Sequence, residues 1–532
     1  MHPQPYDLLI TGAQVIDGTG APRRREDVAV RDDTIVAVGD LSQSAAGRTL
    51  DGTGLVLSPG FIDMHTHSDR TLLVDPGADS KVRQGVTTEL IGNCGSSPTP
   101  CLGIIADEEN ELFARYGMTR AWTSMGEYLA ALEDRGLGIN VAALVGHRPI
   151  RKVAMGGSLM RAPTVDETAT MQRLVHEALD QGAVGLSTGL IYPPSSYSDT
   201  DEIVAVSKEV GASGRIYASH IRNEGLRLEA AVDEAIEVGR RTGARVQISH
   251  HKASDPRVWG LVQTTLATID RANQGGTEVD FDQYPYRASS TNLAARLPQW
   301  THEGGFRAMA DRLRDADQRA RILCEMSDGS GGGIGGGITW DDVLIANCRG
   351  DRTLDGKTVG QIARERGADP AATALDILLT SGCEVGAIFF SMSEDDIRTV
   401  MRHPRMMVGS DSSSVVIGGK TQEGKPHPRA YGTFVRILGH YARDEGVLTL
   451  EEAIHKMSGA PAAKLRLADR GRVAVGMKAD LVLLNPATVR ETATFEQPHQ
   501  YPEGIELVVV NGRITIERGE QTGALAGRVL RA

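Results

Sequence analysis

The sequence predicts an α/β protein: a TIM-like (β/α)8 barrel with a small β domain formed from both chain ends. Three observations predict it. Eight short apolar runs end in polar or small residues, helix-like stretches separate them, and the two termini read as strands and turns.

In chain order, residues 1–58 come first, as the N-terminal part of the β domain. YDLLITGAQVID, DVAVRDD, TIVAVGD and LVLSPG alternate apolar and polar positions around Gly and Asp. Residues 59–465 carry the alternating pattern of the barrel. Its eight runs are GFIDMHTH, TTELIGNCG, INVAALVGH, AVGLSTG, RIYASHI, RVQISHH, EVDFDQYPY and RMMVGSDSS. Between them, VDETATMQRLVHEALDQG and RLEAAVDEAIEVGRRTG repeat apolar residues at helical spacing. A capping box, Thr449-Leu450-Glu451-Glu452, opens a tail helix. The step from the seventh run to the eighth is far longer than the others, so an insertion is expected at about 287–405. It contains the glycine tract DGSGGGIGGG at 328–337. No βαβ unit surrounds that tract, so it reads as a mobile loop over the barrel mouth rather than a phosphate-binding turn. Residues 466–532 return to strands in ADLVLLNP and GIELVVVNGRITIERG, with Asn511-Gly512 as a hairpin turn.

Bulk properties narrow the function classes. A chain of 532 residues exceeds one simple core, which stops growing near ~250–300 residues, so a large domain with a satellite is expected. A net charge of −12 argues against a sequence-independent nucleic-acid binder. No apolar run approaches the ~20 residues of a membrane span, and MHPQPYDLLITGAQ lacks the basic-then-apolar pattern of a secretory leader. The five cysteines (Cys94, Cys101, Cys324, Cys348 and Cys383) are odd in number and scattered. That usage fits a reducing compartment, and a cytoplasmic location is expected.

The chemistry gathers at the C-terminal ends of the runs, where barrel enzymes place their active sites. The first run ends in His65-Thr66-His67, and residues two apart in extended chain point the same way. The second ends at Cys94, the fifth at His220, the sixth at His250 and the eighth at Asp411. Singly, each has an ordinary reading. A strand-end histidine is usually a structural hydrogen-bonder, and a cysteine among apolar neighbours is usually core packing. Four histidines, a thiol and a carboxylate at one barrel mouth read instead as a metal site. His, Cys and carboxylate are zinc's ligand set. Ligands far apart in sequence favour a catalytic site with an open position, and metal-assisted hydrolysis is the implied reaction. Asp63, two residues before His65, reads as a brace for the first strand end.

At these residues the sequence resembles the amidohydrolase superfamily: GFIDMHTH, His220, His250, Asp411 and the split β domain. More narrowly, it resembles the N-acyl-D-amino-acid deacylases (D-aminoacylases). That match rests on GNCGSSPTP, GLSTGLIYPP, SHIRNEG, ISHHK, DQYPY, GSDSS, HPRAYGTFVRILG and the closing ADLVLLNP and VVVNG, and it covers essentially the whole chain. The resemblance implies a tightly bound zinc on Cys94, His220 and His250, and a second, weaker metal position at His65, His67 and Asp411. Asp411 would be the general acid and base. Lys252, Tyr284 and Ser290 would lie near the substrate, with Arg287, Tyr192 and His147 as further contacts; for His147, at the end of the third run, a supporting role is the stronger reading. The implied reaction is hydrolysis of an N-acyl-D-amino acid to a carboxylate and a free D-amino acid. Preference for the D form comes from the resemblance alone.

A substrate that releases an amino acid is a small anion, which makes Lys252 a candidate partner for its carboxylate. Arg287, Arg429 and Arg222 are further candidates, because Arg binds carboxylates bidentately. Two departures from relatives stand out. The fourth run, GAVGLSTG, has no lysine to carry a bridging carbamate, which leaves Cys94 as the nearest anion. After YPY the chain reads Arg287-Ala288-Ser289-Ser290 where relatives often read TAGS. The alternative enzyme is an amidohydrolase of another linear or cyclic amide, such as an N-acyl dipeptide or a hydantoin. The complete ligand set weighs against a non-enzymatic scaffold.

Overall fold

A computed structural model of the chain describes residues 5–328 and 333–532. Its largest unit is built on eight short parallel strands: β1 (Phe61–Asp63), β2 (Val86–Ile91), β3 (Asn140–Gly146), β4 (Gly185–Gly189), β5 (Ile216–His220), β6 (Arg245–Ile248), β7 (Val279–Gln283) and β8 (Met406–Val408). Each pairs with the next in chain order. Backbone hydrogen bonds from Met64 to Val408 (3.1 Å) and from Asp411 to His65 (2.8 Å) close the seam between β8 and β1, helped by a parallel bridge between Thr66 and Ser412. Closure makes the His65–His67 turn and the Asp411 turn neighbours.

Alternation along the strands decides what points inward. On β5, Ile216 and Ala218 pack with Ile62, Leu90 and Leu144 in the barrel interior, while Tyr217 joins the outer core shared with the helices. The same two-residue period carries His220 inward at the top. The helices follow their sequence patterns. Val165–Asp180 buries Met171, Leu174, Val175 and Ala178 along one stripe, and a capping box of Thr164 and Glu167 opens it. Leu228–Thr242 ends at Gly243, whose φ of 77° gives the left-handed stop. Thr449 and Glu452 form the capping box of Leu450–Met457.

Both chain ends share one nine-stranded sheet. Val56–Pro59 from the N-terminal part pairs antiparallel with Leu481–Leu484 from the C-terminal part, Leu57 opposite Leu483. Asn511 and Gly512 turn the hairpin of Ile505–Val510 and Arg513–Glu517 with φ of 46° and 78°, as a two-residue hairpin requires. The last residues then leave this sheet and pair with β3 at the base of the barrel, where Val141 bonds the backbones of Arg528 and Leu530.

Between β7 and β8 lies a folded insertion. Ala288–Asn292, Val385–Phe390 and Val343–Cys348 form a three-stranded antiparallel sheet over a core that includes Leu293, Met309, Ile345, Val359 and Leu375. The long chain step is therefore largely packed structure rather than loop. Residues 329–332 of the glycine tract lie outside the described residues. The rest of the tract packs closely: a Cβ at Gly333 would lie 2.2 Å from the Arg296 carbonyl, and Ile334 and Gly335 line the pocket at the barrel mouth.

Candidate metal and active site

Cys94, His250 and Asp411 each follow a barrel strand, and each has left-handed backbone, with φ of 52°, 36° and 51°. Such conformations cost non-glycine residues roughly 1–3 kcal/mol each and cluster at functional sites. The local sequence enforces the turn at Cys94. Gly92 has φ of 80°, and a Cβ there would lie 2.1 Å from the Leu144 carbonyl. A Cβ at Gly95 would lie 2.7 Å from the Gly189 backbone nitrogen. Ser187 of β4 ties the loop together: its hydroxyl accepts from Gly95 N–H at 3.0 Å and donates to the Gly92 carbonyl. The strand that lacks a lysine thus supplies the hydroxyl that holds Cys94 in place.

The side chains converge. Cys94 Sγ lies 3.2 Å from His65 Nε2 and 3.5 Å from both His220 Nδ1 and His250 Nε2. Asp411 Oδ1 lies 3.0 Å from His67 Nε2 and 3.5 Å from His65 Nε2. Two overlapping groups emerge, each with its donor atoms within 4.8 Å of one another: His65, His67, Cys94 and Asp411, and Cys94, His220 and His250. Cys94 belongs to both, whereas the sequence assigned it to one. The donor chemistry fits a cation. Two imidazoles and a thiol form zinc's N/S set with a position left open, and the second group adds a carboxylate.

Electrostatics reflect this crowding. Burial would raise the Cys94 thiol, but the charge on His65 and hydrogen bonds from His220 and His250 hold it well below the usual thiol range. Burial would also raise Asp411, yet the Arg429 guanidinium and the neighbouring imidazoles hold it well below the usual carboxylate range. His67 is pushed up to about 9: burial opposes its charge, and hydrogen bonding to Asp411 and Cys94 outweighs it.

Carboxylates surround the cluster. Asp282, fully buried, lies 3.1 Å from His65 Nδ1, accepts His250 N–H at 2.8 Å and accepts Gln247 Nε2 at 2.9 Å. Glu224 Oε1 lies 3.0 Å from His250 Nδ1 and 3.7 Å from His220 Nε2. Asp63 braces the β1–β8 seam: Oδ1 accepts His65 N–H at 3.2 Å and Ser410 N–H at 2.8 Å, and Oδ2 accepts buried Lys81 at 3.0 Å.

An open pocket above these groups is lined by Tyr192, Lys252, Tyr284 and Ser290, together with His220, His250 and Asp411. Lys252 is ion-paired with Glu224 and lies 2.8 Å from His250 Nδ1. Arg429 donates to Asp411 Oδ2 at 2.8 Å and to the Ser290 carbonyl at 3.2 Å, with its guanidinium 4.7 Å from the Tyr284 ring centre. Three residues proposed from sequence lie elsewhere. Arg287 is exposed and outside the pocket lining. His147 is buried against Ser195 (3.0 Å) and Glu202 (3.3 Å), in the supporting position its sequence context favoured. Arg222 pairs with Glu234 at 2.8 Å.

With this geometry in view, the sequence profile of the amidohydrolase family matches residues 48–516. The chain belongs to the amidohydrolase family. An N-acyl-D-glutamate deacylase of Alcaligenes xylosoxydans xylosoxydans is 39% identical over 530 residues, covering 99% of this chain and 97% of its own. A D-aminoacylase of the same organism is 39% identical over 527 residues, covering 99% and 98%. The crystal structure of N-acyl-D-glutamate deacylase from Bordetella bronchiseptica, complexed with zinc and a phosphonate mimic of the tetrahedral intermediate, matches with a TM-score of 0.84. It is 36% identical and covers 99% of this chain and 100% of that one.

In this amidohydrolase, sequence reasoning missed Glu224, Asp282 and Lys81, and did not pair Arg429 with Asp411. Signals existed for two of them. Glu224 follows His220 by four residues in SHIRNEG, and Asp282 lies one residue before the end of β7 in FDQYPY. Lys81 sits on a short helix outside any motif, and only barrel closure brings it to Asp63 and Ser410.

Proposed function

We propose that this amidohydrolase is a zinc-dependent deacylase that hydrolyses N-acyl-D-amino acids to a carboxylate and a free D-amino acid. The observation that carries the reading is Cys94 Sγ at 3.5 Å from both His220 Nδ1 and His250 Nε2, beside Asp411, in a chain similar over its full length to two such deacylases. Cys94, His220 and His250 would hold one zinc tightly. His65, His67 and Asp411 would form a weaker second position that shares Cys94. When bound, zinc supplies Lewis acidity, polarising a carbonyl and making a water acidic near neutral pH.

The chain's own residues supply the rest. Asp411 would accept the proton of the attacking water: Arg429 donates to Oδ2 at 2.8 Å and His67 Nε2 lies 3.0 Å from Oδ1, so the carboxylate is fixed from both sides. A C–O bond forms at the acyl carbon. Asp411 returns that proton to the amine nitrogen as the C–N bond breaks, so one carboxylate serves as base and then as acid. Lys252, in the pocket wall, is the partner for the substrate carboxylate; its ammonium lies 5.7 Å from the Tyr284 ring centre, and the Arg429 guanidinium, bonded to Asp411, lies 4.7 Å from it. Tyr192 and Ser290 line the remaining wall.

In domain terms, residues 59–465 form the catalytic barrel, with 287–405 as its insertion, between the two parts of the β domain. Among the described residues, no helix is long and apolar enough to cross a membrane. The five free cysteines support a reducing, cytoplasmic setting.

The test is zinc content together with hydrolysis rates on matched N-acetyl-D- and N-acetyl-L-amino acids. Stoichiometric zinc and a clear preference for the D series are expected. Zinc-free protein, or turnover confined to hydantoins or N-acyl dipeptides, would overturn the proposal.

A further inference from the structure

We propose that two outer carboxylates divide the two metal positions between them: Glu224 stands behind His250 and His220 at the tight position, and Asp282 orients the His65 imidazole of the weak one. The inference rests on the ligand assignment proposed above. His250 presents Nε2 to Cys94 and turns Nδ1 toward Glu224 Oε1 at 3.0 Å. His220 presents Nδ1 to Cys94; its Nε2 makes no hydrogen bond among the described residues, and the same Glu224 oxygen lies 3.7 Å away, within ion-pair reach. A single carboxylate oxygen therefore faces the outer nitrogen of both rings. Lys252 Nζ also lies 2.8 Å from His250 Nδ1, but an ammonium has only protons to offer. Glu224 is the group there that can accept the Nδ1 proton.

At the weak position the arrangement repeats with different residues. His65 directs Nε2 to Cys94 at 3.2 Å and to Asp411 Oδ1 at 3.5 Å, and its outer Nδ1 lies 3.1 Å from Asp282 Oδ1. Among the described residues, the hydrogen bond of Asp282 to the tight position is the one from the His250 backbone N–H, at 2.8 Å. A metal-ligating imidazole carries its proton on the outer nitrogen. A carboxylate there fixes tautomer and orientation, and its removal weakens metal binding roughly 10–100-fold.

Asp282→Asn suits the test because its surroundings can absorb the amide. The asparagine oxygen in the place of Oδ1 can still accept His250 N–H and still faces His65 Nδ1, so the variant removes the charge while keeping the geometry. Gln247 Oε1 has no hydrogen-bond partner among the described residues, so a flipped Gln247 can accept from the new NH2.

The experiment titrates zinc into metal-free wild type, Asp282→Asn and Glu224→Gln against a chromophoric chelator, which resolves a tight and a weak affinity. Asp282→Asn is expected to weaken the weak position at least tenfold and leave the tight one within twofold. Glu224→Gln is expected to do the reverse. Thermal melting of the metal-free proteins checks folding. If Asp282→Asn does not fold, Asp282→Glu keeps the charge one methylene further out, and the same selective loss is expected. Equal losses at both positions, or an unchanged weak position in the Asp282 variant, would overturn the division. Wild type that binds one zinc only would overturn it while leaving the deacylase reading intact. Wild type that binds none would overturn both.

Discussion

Arg429 Nη1 lies 2.8 Å from Asp411 Oδ2, and His67 Nε2 lies 3.0 Å from Asp411 Oδ1, so the carboxylate is held from both sides at the barrel mouth. Its orientation is fixed before any substrate arrives.

Asp411→Asn preserves the shape of that contact and removes the base. Zinc on Cys94, His220 and His250 should be retained, and turnover should fall by roughly a hundred- to ten-thousand-fold, the range of a lost general base. Elemental analysis and steady-state kinetics check this. Near-wild-type turnover would remove Asp411 from the mechanism.

Cys94→Ala deletes the one group common to both clusters. Zinc and activity should disappear together. A fully metallated, active variant would return Cys94 to the role of a small core residue.

Gly92→Ala probes the loop that aims Cys94. The new Cβ would meet the Leu144 carbonyl at 2.1 Å, and a strand backbone cannot move aside cheaply. The φ of 80° adds a penalty of roughly 1 kcal/mol or more. The variant should melt earlier than wild type and bind zinc more weakly. Unchanged melting and zinc affinity would show that the turn has room.

Lys252→Met tests substrate anchoring. A charge-assisted hydrogen bond contributes roughly 1.5–3 kcal/mol, so KM for N-acyl-D-amino acids should rise about 10- to 100-fold. The matching substrate amide, which lacks the carboxylate, should respond far less. Equal effects on both substrates would assign Lys252 to its Glu224 ion pair alone.

Glu202 sets a pH-dependent contribution to stability away from the pocket. Burial would raise its carboxyl, but hydrogen bonds from His147 and Arg151 outweigh this and hold it at about 2, against an ordinary 4.5. The folded value is depressed. The stabilisation is therefore fully present above about 4.5 and is lost as pH falls toward about 2. It amounts to something on the order of 3 kcal/mol at neutral pH. Glu202→Gln should lower the urea midpoint clearly at pH 7 and much less near pH 3. An equal gap at both pH values would refute this account.

Much of the site was legible because metal ligation needs particular residue types at strand ends. HTH, GNCG, ASH, ISHH and GSDS announce their donors by composition and position. Less legible was the choice between adjacent candidates. In Ser249-His250-His251, His250 turns to Cys94, while His251 Nε2 bonds Thr265 on the neighbouring helix at 2.9 Å. The left-handed backbone at His250 breaks simple alternation there. His147 and Arg222 also end or follow barrel runs, yet buried or partly buried carboxylates outside the pocket, Glu202 and Glu234, claim them.

The sequence by itself determined the barrel, the split β sheet, the Thr449–Glu452 capping box, the Asn511-Gly512 hairpin and the six candidate donor residues. These follow from local periodicity, turn chemistry and residue type, which a linear chain displays directly. Only the tertiary structure decided that Cys94 serves both donor groups, that Glu224 and Asp282 stand behind different imidazoles, and that Arg429 grips Asp411. Most of those relationships join residues distant in sequence: Arg429 and Asp411 are 18 positions apart and Cys94 and His250 are 156 apart, whereas Glu224 and His220 are four apart. They exist because closing β8 onto β1, and three left-handed turns at strand ends, bring distant side chains to one point.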